Sequence, residues 1–262
     1  MIRHWASEMI LDPTTQIALR FSMTFSNDSK RALIDSRVGQ VASWTATAAN
    51  AGFSYDMGSI PTVTMNRLVI PAGHTLGTWP LRLFSDDNVN FTSATLLGAL
   101  TAAAGSGVID MPFQTPGSER YFAFQIVGSS AEIFTAHEAW LGVYEQLSST
   151  AAIDPSFESG WQSQLVESLY PGGVATLEVA APRRTFTLNV RNITSASADY
   201  TILESLIQNG RARPFWYWPP DDTDAGPYLV KLDADVSKAQ EFAAPSVSIR
   251  YRYEMRMTEQ AI

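Results

Sequence analysis

The sequence predicts a mainly β protein built as two domains, and three observations carry that prediction. Runs of Val, Ile, Thr, Phe and Tyr bounded by Gly, Pro, Asn and Asp recur along most of the chain, which is the signature of short strands. The 262 residues, 45% hydrophobic and 17% charged, exceed one ordinary domain and supply enough apolar mass for packed cores. Helical periodicity surfaces clearly in one stretch only, in the second half. No period of about 20–50 residues recurs, which argues against a propeller or solenoid.

In the first half, Gln16 to Phe25 alternates in part, and Met65 to Ile70 runs into the turn Pro71-Ala72-Gly73. Trp79 to Phe84 ends in Ser85-Asp86-Asp87-Asn88, whose short polar side chains favour turns. Tyr121 to Val127 is continuously apolar, as in a strand covered on both faces, and Trp140 to Tyr144 closes the half. Between Gln146 and Pro155 the pattern weakens into small and polar residues, which sets the expected domains at 1–149 and 150–262. An ordinary loop would show the same composition.

In the second half, Val174 to Val179 and Arg184 to Val190 alternate as strands, punctuated by Pro171-Gly172-Gly173 and Ala181-Pro182. From Ser197 the period changes: Tyr200, Leu203, Leu206 and Ile207 recur at three- and four-residue spacing, with Ile202 extending the face. Ser195 or Ser197 can cap this helix, Asp199 suits the dipole of its first turn, and Asn209-Gly210 supplies the stop. Phe215-Trp216-Tyr217-Trp218 follows as a strand, then Tyr228 to Leu232. Ser246 to Met257 alternates strictly: Val247, Ile249, Tyr251, Tyr253, Met255 and Met257 on one face, Ser248, Arg250, Arg252, Glu254 and Arg256 on the other.

Charge and composition exclude several functions. The net charge is -8, and each half carries an equal share, so no basic tail or domain exists to neutralise phosphates or an anionic membrane. The absence of cysteine removes disulfides, thiolate zinc sites and a cysteine nucleophile. No apolar run is long enough to span a bilayer, so no membrane insertion is expected. The opening residues lack the apolar stretch of a secretory signal.

Catalytic constellations are equally scarce. The three histidines, His4, His74 and His137, are scattered without metal-ligand spacing and read as isolated groups. There is no nucleophile elbow, Walker lysine or dinucleotide-binding glycine motif, and Gly105-Ser106-Gly107 reads as a flexible turn. Asp86, Asn88 and Asn90 alternate like part of a calcium loop but lack its glycine and distal glutamate, so a solvated hairpin tip is the plainer account. Asp221-Asp222-Thr223-Asp224 reads as an exposed loop. No catalytic residue, cofactor or metal site is assigned, and the chain is expected not to be an enzyme. Two carboxylates drawn from distant strands, as in a β-sandwich glycoside hydrolase, remain the weakest alternative.

The aromatics carry more. Trp5, Trp44, Trp79, Trp140 and Trp161 lie in strand-like segments, where a tryptophan either fills a core or, if exposed, stacks on a sugar ring. Trp79 and Trp140 are the candidate glycan contacts. Alternation sends Phe215 and Tyr217 to one face and Trp216 and Trp218 to the other, so both faces need cover. One can face the domain core and the other a neighbouring subunit; burial within one two-layer domain is the competing account. Arg250, Arg252 and Arg256 can pair with acids of a neighbour or simply be solvated.

Two resemblances follow from these segments. Asn66 to Ile70 with its glycine turn, Leu81 to Asp87, Arg120 to Ile126 and Ala139-Trp140-Leu141-Gly142 make residues 60–145 similar to a discoidin-like, galactose-binding-like jelly roll as found in phage tail proteins. Arg183 to Leu188, the helix from Asp199 to Gln208, Gly210, Pro214 to Trp218, Tyr228 to Lys231 and the last strand make the second half similar to the tail-tube-like β-sandwich of phage distal tail and baseplate hub proteins. The resemblance implies two β-sandwich domains, an N-terminal jelly roll and a C-terminal tail-tube-like sandwich with one short helix. It implies a structural component of a phage tail tip or baseplate, made in the host cytoplasm and found in the virion. The C-terminal domain would form a homo-oligomeric ring, trimer or hexamer, through Phe215 to Trp218 and the three arginines. Tail tube, hub and fibre proteins would attach, and DNA would pass the lumen without specific binding. The alternative is a carbohydrate-binding receptor-recognition module that contacts host-surface glycan.

Overall fold

The computed structural model describes residues 3–4, 17–18, 23–25, 41–46, 51–56, 65–88, 91–101, 107–114, 119–127, 132–137, 139–148, 152–153, 158–170, 173–211, 214–219, 227–241 and 249–260. The chain is mainly β. The strands run in the order β1 Arg3–His4, β2 Ile17–Ala18, β3 Met23–Phe25, β4 Ala42–Ala46, β5 Ala51–Asp56, β6 Arg67–Ile70, β7 Leu81–Asp86, β8 Thr95–Leu100, β9 Ile109–Pro112 and β10 Tyr121–Ile126. They continue with β11 Ile133–Ala136, β12 Trp140–Gly142, β13 Glu145–Gln146, β14 Ala152–Ile153, β15 Glu158–Tyr170 and β16 Gly173–Thr194. Helix α1, Ala198–Gly210, precedes β17 Phe215–Trp218, β18 Tyr228–Glu241 and β19 Arg250–Glu259.

Contacts divide the chain into two compact units. The jelly-roll unit spans Ser7–Tyr144 with Asp224–Pro227; the other comprises Met1–Ala6, Glu145–Thr223 and Tyr228–Ala261. The division falls before Glu145 because β13 pairs with β1, and it gives the N-terminal strand to the second unit.

In the jelly-roll unit a five-stranded sheet, ordered β2-β5-β10-β7-β8, shares one core with two three-stranded sheets, β11-β4-β3 and β12-β6-β9. Period-two alternation aims Leu81 and Leu83 of β7 and Phe122, Phe124 and Ile126 of β10 at Leu68, Ile70, Met111, Phe134 and Leu141 from the smaller sheets. All of these side chains are buried.

The second unit is one sheet, β13-β1-β17-β18-β19-β16-β14, with β15 paired to β16 and α1 laid on one face. Leu203 and Leu206 of the helix meet Phe186, Leu188, Tyr253, Met255 and Met257 of the sheet. Ser197 caps the helix, its hydroxyl accepting from the Tyr200 N–H at 3.2 Å. Asp199 in the first turn is also buried, accepting from the Ser148 N–H at 2.7 Å.

Helix α1 ends at Gly210, where Asn209-Gly210 places its stop, but without a left-handed glycine cap: Arg211 beyond it keeps right-handed backbone at φ -74°. Gly210 also permits close approach, since a β-carbon there would sit 2.9 Å from Leu232 Cδ1 and 3.0 Å from Phe215 Cε1. One expected break is corrected: Ala181-Pro182 does not separate two strands, because both lie inside the continuous β16. The register against β15 slips just there, between Gln162 and Gln164, and a bulge tolerates the missing proline N–H.

Candidate functional site

The segment Pro71–Pro80 joins β6 to β7 and carries Gly73, His74, Thr75, Thr78 and Trp79. Its shape follows from its residues. Gly73 takes φ +91°, which glycine alone adopts without penalty. His74 is 2% exposed, and both ring nitrogens are used. Nδ1 accepts from the Leu76 N–H at 3.2 Å, so Nε2 carries the proton and donates to the Gly107 carbonyl at 2.6 Å. That pattern suits neutral imidazole. Burial lowers the His74 pKa, outweighing its backbone hydrogen bonds.

Thr75 ties the loop to the edge of β11. Its N–H donates to the Thr135 carbonyl at 3.0 Å, and its hydroxyl accepts from the Thr135 N–H at 2.8 Å. At the far end, the Val127 N–H donates to the Pro80 carbonyl at 2.8 Å. The loop is thus fastened to three other segments. It leaves Ala72, Gly73, Thr75 and Thr78 exposed and Trp79 half-buried against the core.

His137 belongs to the same place. Its Nε2 lies 3.4 Å from where a β-carbon on Gly73 would stand, and its Nδ1 has no hydrogen-bond partner among the described residues. His74 is thus a buried loop histidine and His137 a half-buried one, as the sequence reads them, and the fold places the His137 ring beside Gly73. His4 lies on β1, opposite Glu145 and Tyr217, with its side chain outside the described residues.

Loop chemistry limits what the segment can do. Residues 71–80 contain no Asp, Glu, Lys or Arg. The Trp79 indole, the exposed Thr78 hydroxyl and backbone amides can hold a neutral, hydroxyl-rich ligand, but this segment contributes no carboxylate for acid–base work.

The other sequence candidates fall as follows. Trp140 opens β12 opposite Val69 and is 2% exposed, in a strand buried along its whole length. Its ring is a core group, which corrects its assignment as a glycan contact. Phe215, Trp216, Tyr217 and Trp218 are 2%, 0%, 0% and 8% exposed. β17 lies between β1 and β18, and this chain itself covers both of its faces, so the expected subunit contact through these four residues is corrected. Arg250, Arg252 and Arg256 do reach the surface of β19: Arg256 Nε lies 3.4 Å from Asp233, and Arg252 lies 3.8 Å from Glu254. Asp86 is buried and closes its loop by accepting from the N–H groups of Asn88 and Ser93 at 2.8 and 2.9 Å. Burial pushes its carboxyl up, but these bonds outweigh it and hold it below the usual aspartate value. Among the described residues no group of three or more metal-ligating side chains forms. Asp221 to Asp224 lies outside the described residues.

Sequence reading missed a second cluster. Lys238 of β18 points its ammonium over the rings of Tyr200, Tyr251 and Tyr253, at 4.6, 4.6 and 5.6 Å from the centroids. It donates to Glu204 at 2.5 Å and to the Tyr200 hydroxyl at 2.9 Å, and the Tyr253 hydroxyl donates to the same Glu204 oxygen at 2.7 Å. Burial alone would lower the Lys238 pKa, but the bonds to Glu204 and Tyr200 hold it above the ordinary lysine value. Burial, then Glu204, pushes Tyr253 up. The cluster fastens α1 to β18 and β19.

No family model and no curated protein matches the chain. Solved structures do show likeness. CpGH89CBM32-5 from Clostridium perfringens, in complex with GalNAc-β-1,3-galactose, is 7% identical with a TM-score of 0.42, over 52% of this chain and 100% of that one. CBM32-1 from a family 31 glycoside hydrolase of Clostridium perfringens is 14% identical with a TM-score of 0.39, over 50% of this chain and 94% of that one. The lectin domain of lectinolysin, complexed with Lewis B antigen, is 9% identical with a TM-score of 0.39, over 52% and 96% of the two chains.

Proposed function

We propose that this chain is a non-catalytic carbohydrate-binding protein whose jelly-roll unit contacts a neutral sugar through the Pro71–Pro80 loop. One observation carries the reading. The loop is fastened through His74, Thr75 and Pro80 to three other segments, and it still leaves the half-buried Trp79 and the exposed Thr75 and Thr78 at the surface. A fixed loop binds with little ordering cost, which is what a weak sugar contact requires. Trp79 supplies a ring, and Thr75, Thr78 and His137 supply hydrogen-bonding groups.

The test is a glycan array probed with the full chain, alongside Trp79→Phe and Thr78→Lys. Thr78 is exposed, so its replacement leaves the core untouched. The reading requires binding to at least one neutral glycan and a loss of about tenfold or more with Thr78→Lys, equivalent to about 1.4 kcal/mol. An array without signal, or binding indifferent to both variants, refutes it.

A second reading, a ring-forming structural component of a phage tail tip, is favoured by the β15–β16 hairpin. From Gln164↔Ala180 to Tyr170↔Gly173 these strands pair only with each other among the described residues. A lone two-stranded ribbon is marginally stable and presents open edges, which a second copy would satisfy. On this reading the chain resides in the virion and joins tube, hub and fibre proteins. Size-exclusion chromatography with light scattering decides: a closed trimer or hexamer is expected, and a monomer at high concentration refutes it.

A further inference from the structure

The second unit carries an exposed tryptophan that neither reading uses. Trp161 on edge strand β15 is 66% exposed and stands opposite Arg184 of β16. The Arg184 guanidinium lies 5.0 Å from the Trp161 ring centroid and 4.8 Å from that of Tyr228, so it is stacked by both rings. Arg184 also donates to the Tyr228 hydroxyl, and its backbone N–H donates to Glu259 at 3.2 Å. Tyr228 in turn packs on the fully buried Phe186, with centroids 5.1 Å apart. The indole therefore ends a ladder that starts in the core: Phe186, Tyr228, Arg184, Trp161. Its inner face is occupied, and its surroundings hold it in place.

The geometry points to Trp161 as a stacking platform for a single neutral pyranose ring, a binding site separate from the jelly-roll loop. Three arguments select that ligand. An indole contributes at most about 250 Å² of contact. A stable protein partner needs about 800 Å² on each side. Among the described residues beside Trp161, the exposed Gly160, Gln162 and Pro182 add no large apolar side chain to it. A nucleobase stacks equally well, but nucleic-acid binding needs phosphate neutralisation. The chain is at -8, and the guanidinium here is already engaged by two rings and a hydroxyl. The apolar C–H face of a sugar fits a flat, prepositioned ring that contributes no charge of its own.

The experiment uses full chain labelled at tryptophan and arginine with nitrogen-15, so that each indole N–H and the Arg184 side chain give signals. The Trp161 and Trp79 signals are identified by their loss in Trp161→Phe and Trp79→Phe. Galactose, glucose and N-acetylglucosamine are each titrated to about 50 mM, which saturates a low-millimolar site. The expected result is a saturable shift of the Trp161 signal with at least one sugar. Trp161→Phe should retain weaker binding at this site, read from the Arg184 side-chain signal, and Trp161→Leu should abolish it, because leucine is apolar but has no ring. A Trp161 signal unmoved by all three sugars overturns the inference. So does Trp161→Leu converting an oligomer to a monomer, because the indole would then be a protein contact. The Trp79 signal reports the jelly-roll loop independently, so either site can fail without the other.

Discussion

Lys238→Met removes the ammonium that joins α1 to the sheet while keeping most of the side-chain volume. The magnitude follows from what the ammonium touches. Its ion pair with Glu204 is 2.5 Å long, but the two side chains are 33% and 40% exposed, so solvent screening limits the pair to about 0.5–1 kcal/mol. Stacking over three tyrosines contributes about 0.5–1 kcal/mol at such an exposed position. The sum is a loss of about 1–2 kcal/mol. Glu204 keeps one partner, since Tyr253 still donates to it, and this holds the loss to the lower end. Far-ultraviolet circular dichroism follows α1, and a cycle with Glu204→Gln isolates the pair. The reasoning requires a coupling of about 0.5–1 kcal/mol between the two substitutions. Additive effects, or a Lys238→Met protein as stable as the parent, refute the account of the cluster as an anchor.

Three further outcomes are expected. The α1 anchor should weaken at both pH extremes: Glu204 is held below its ordinary 4.5, so its contribution is present above that value and lost as pH falls through its folded pKa, while Lys238 is held above its ordinary 10.5, so its contribution is present below that value and lost as pH rises through its folded pKa; amide exchange in α1 across pH reads both limbs. His74 is held below its ordinary 6.5, so the jelly-roll unit should lose stability as pH falls under that value, and His74→Ala should remove this dependence at a cost of about 2–3 kcal/mol, measured by urea unfolding of the two proteins at pH 5 and 8. Gly73→Ala should destabilise by about 1–2 kcal/mol, because the alanine backbone must adopt φ +91° with its methyl beside His137, and a neutral result by thermal melting would contradict the loop geometry.

How legible the chain was in its sequence depended on whether a single period governed a segment. β19 was readable because strict alternation put Tyr253, Met255 and Met257, all 0% exposed, on one face. Helix α1 was readable because Leu203 and Leu206 kept helical spacing and Ser197 supplied the cap. β15 was not, since Glu158–Tyr170 mixes Gly, Gln, Ser and Glu with few β-branched residues, and its pairing with β16 is a tertiary fact. Pro182 read as a break because a bulge that accommodates proline leaves no local signature. The loop site was half legible. Trp79 stood out as a residue type, but His137 reaches Gly73 only through closure of the whole unit, which spacing along the chain does not encode. The Lys238 cluster gathers residues from α1, β18 and β19, and no motif links them. Aromatic alternation in β17 correctly demanded cover on both faces, yet it could not say that the same chain supplies both.

The pairing of β1 with β13 has a consequence for modularity. His4 stands opposite Glu145, so the chain departs for the jelly roll and returns from it at two positions about 5 Å apart on adjacent strands. The intervening segment is therefore a cassette whose two splice points are already neighbours. A short turn could join His4 to Glu145 directly and keep β1 paired with β13 and β17, and a different domain could be grafted at the same junction.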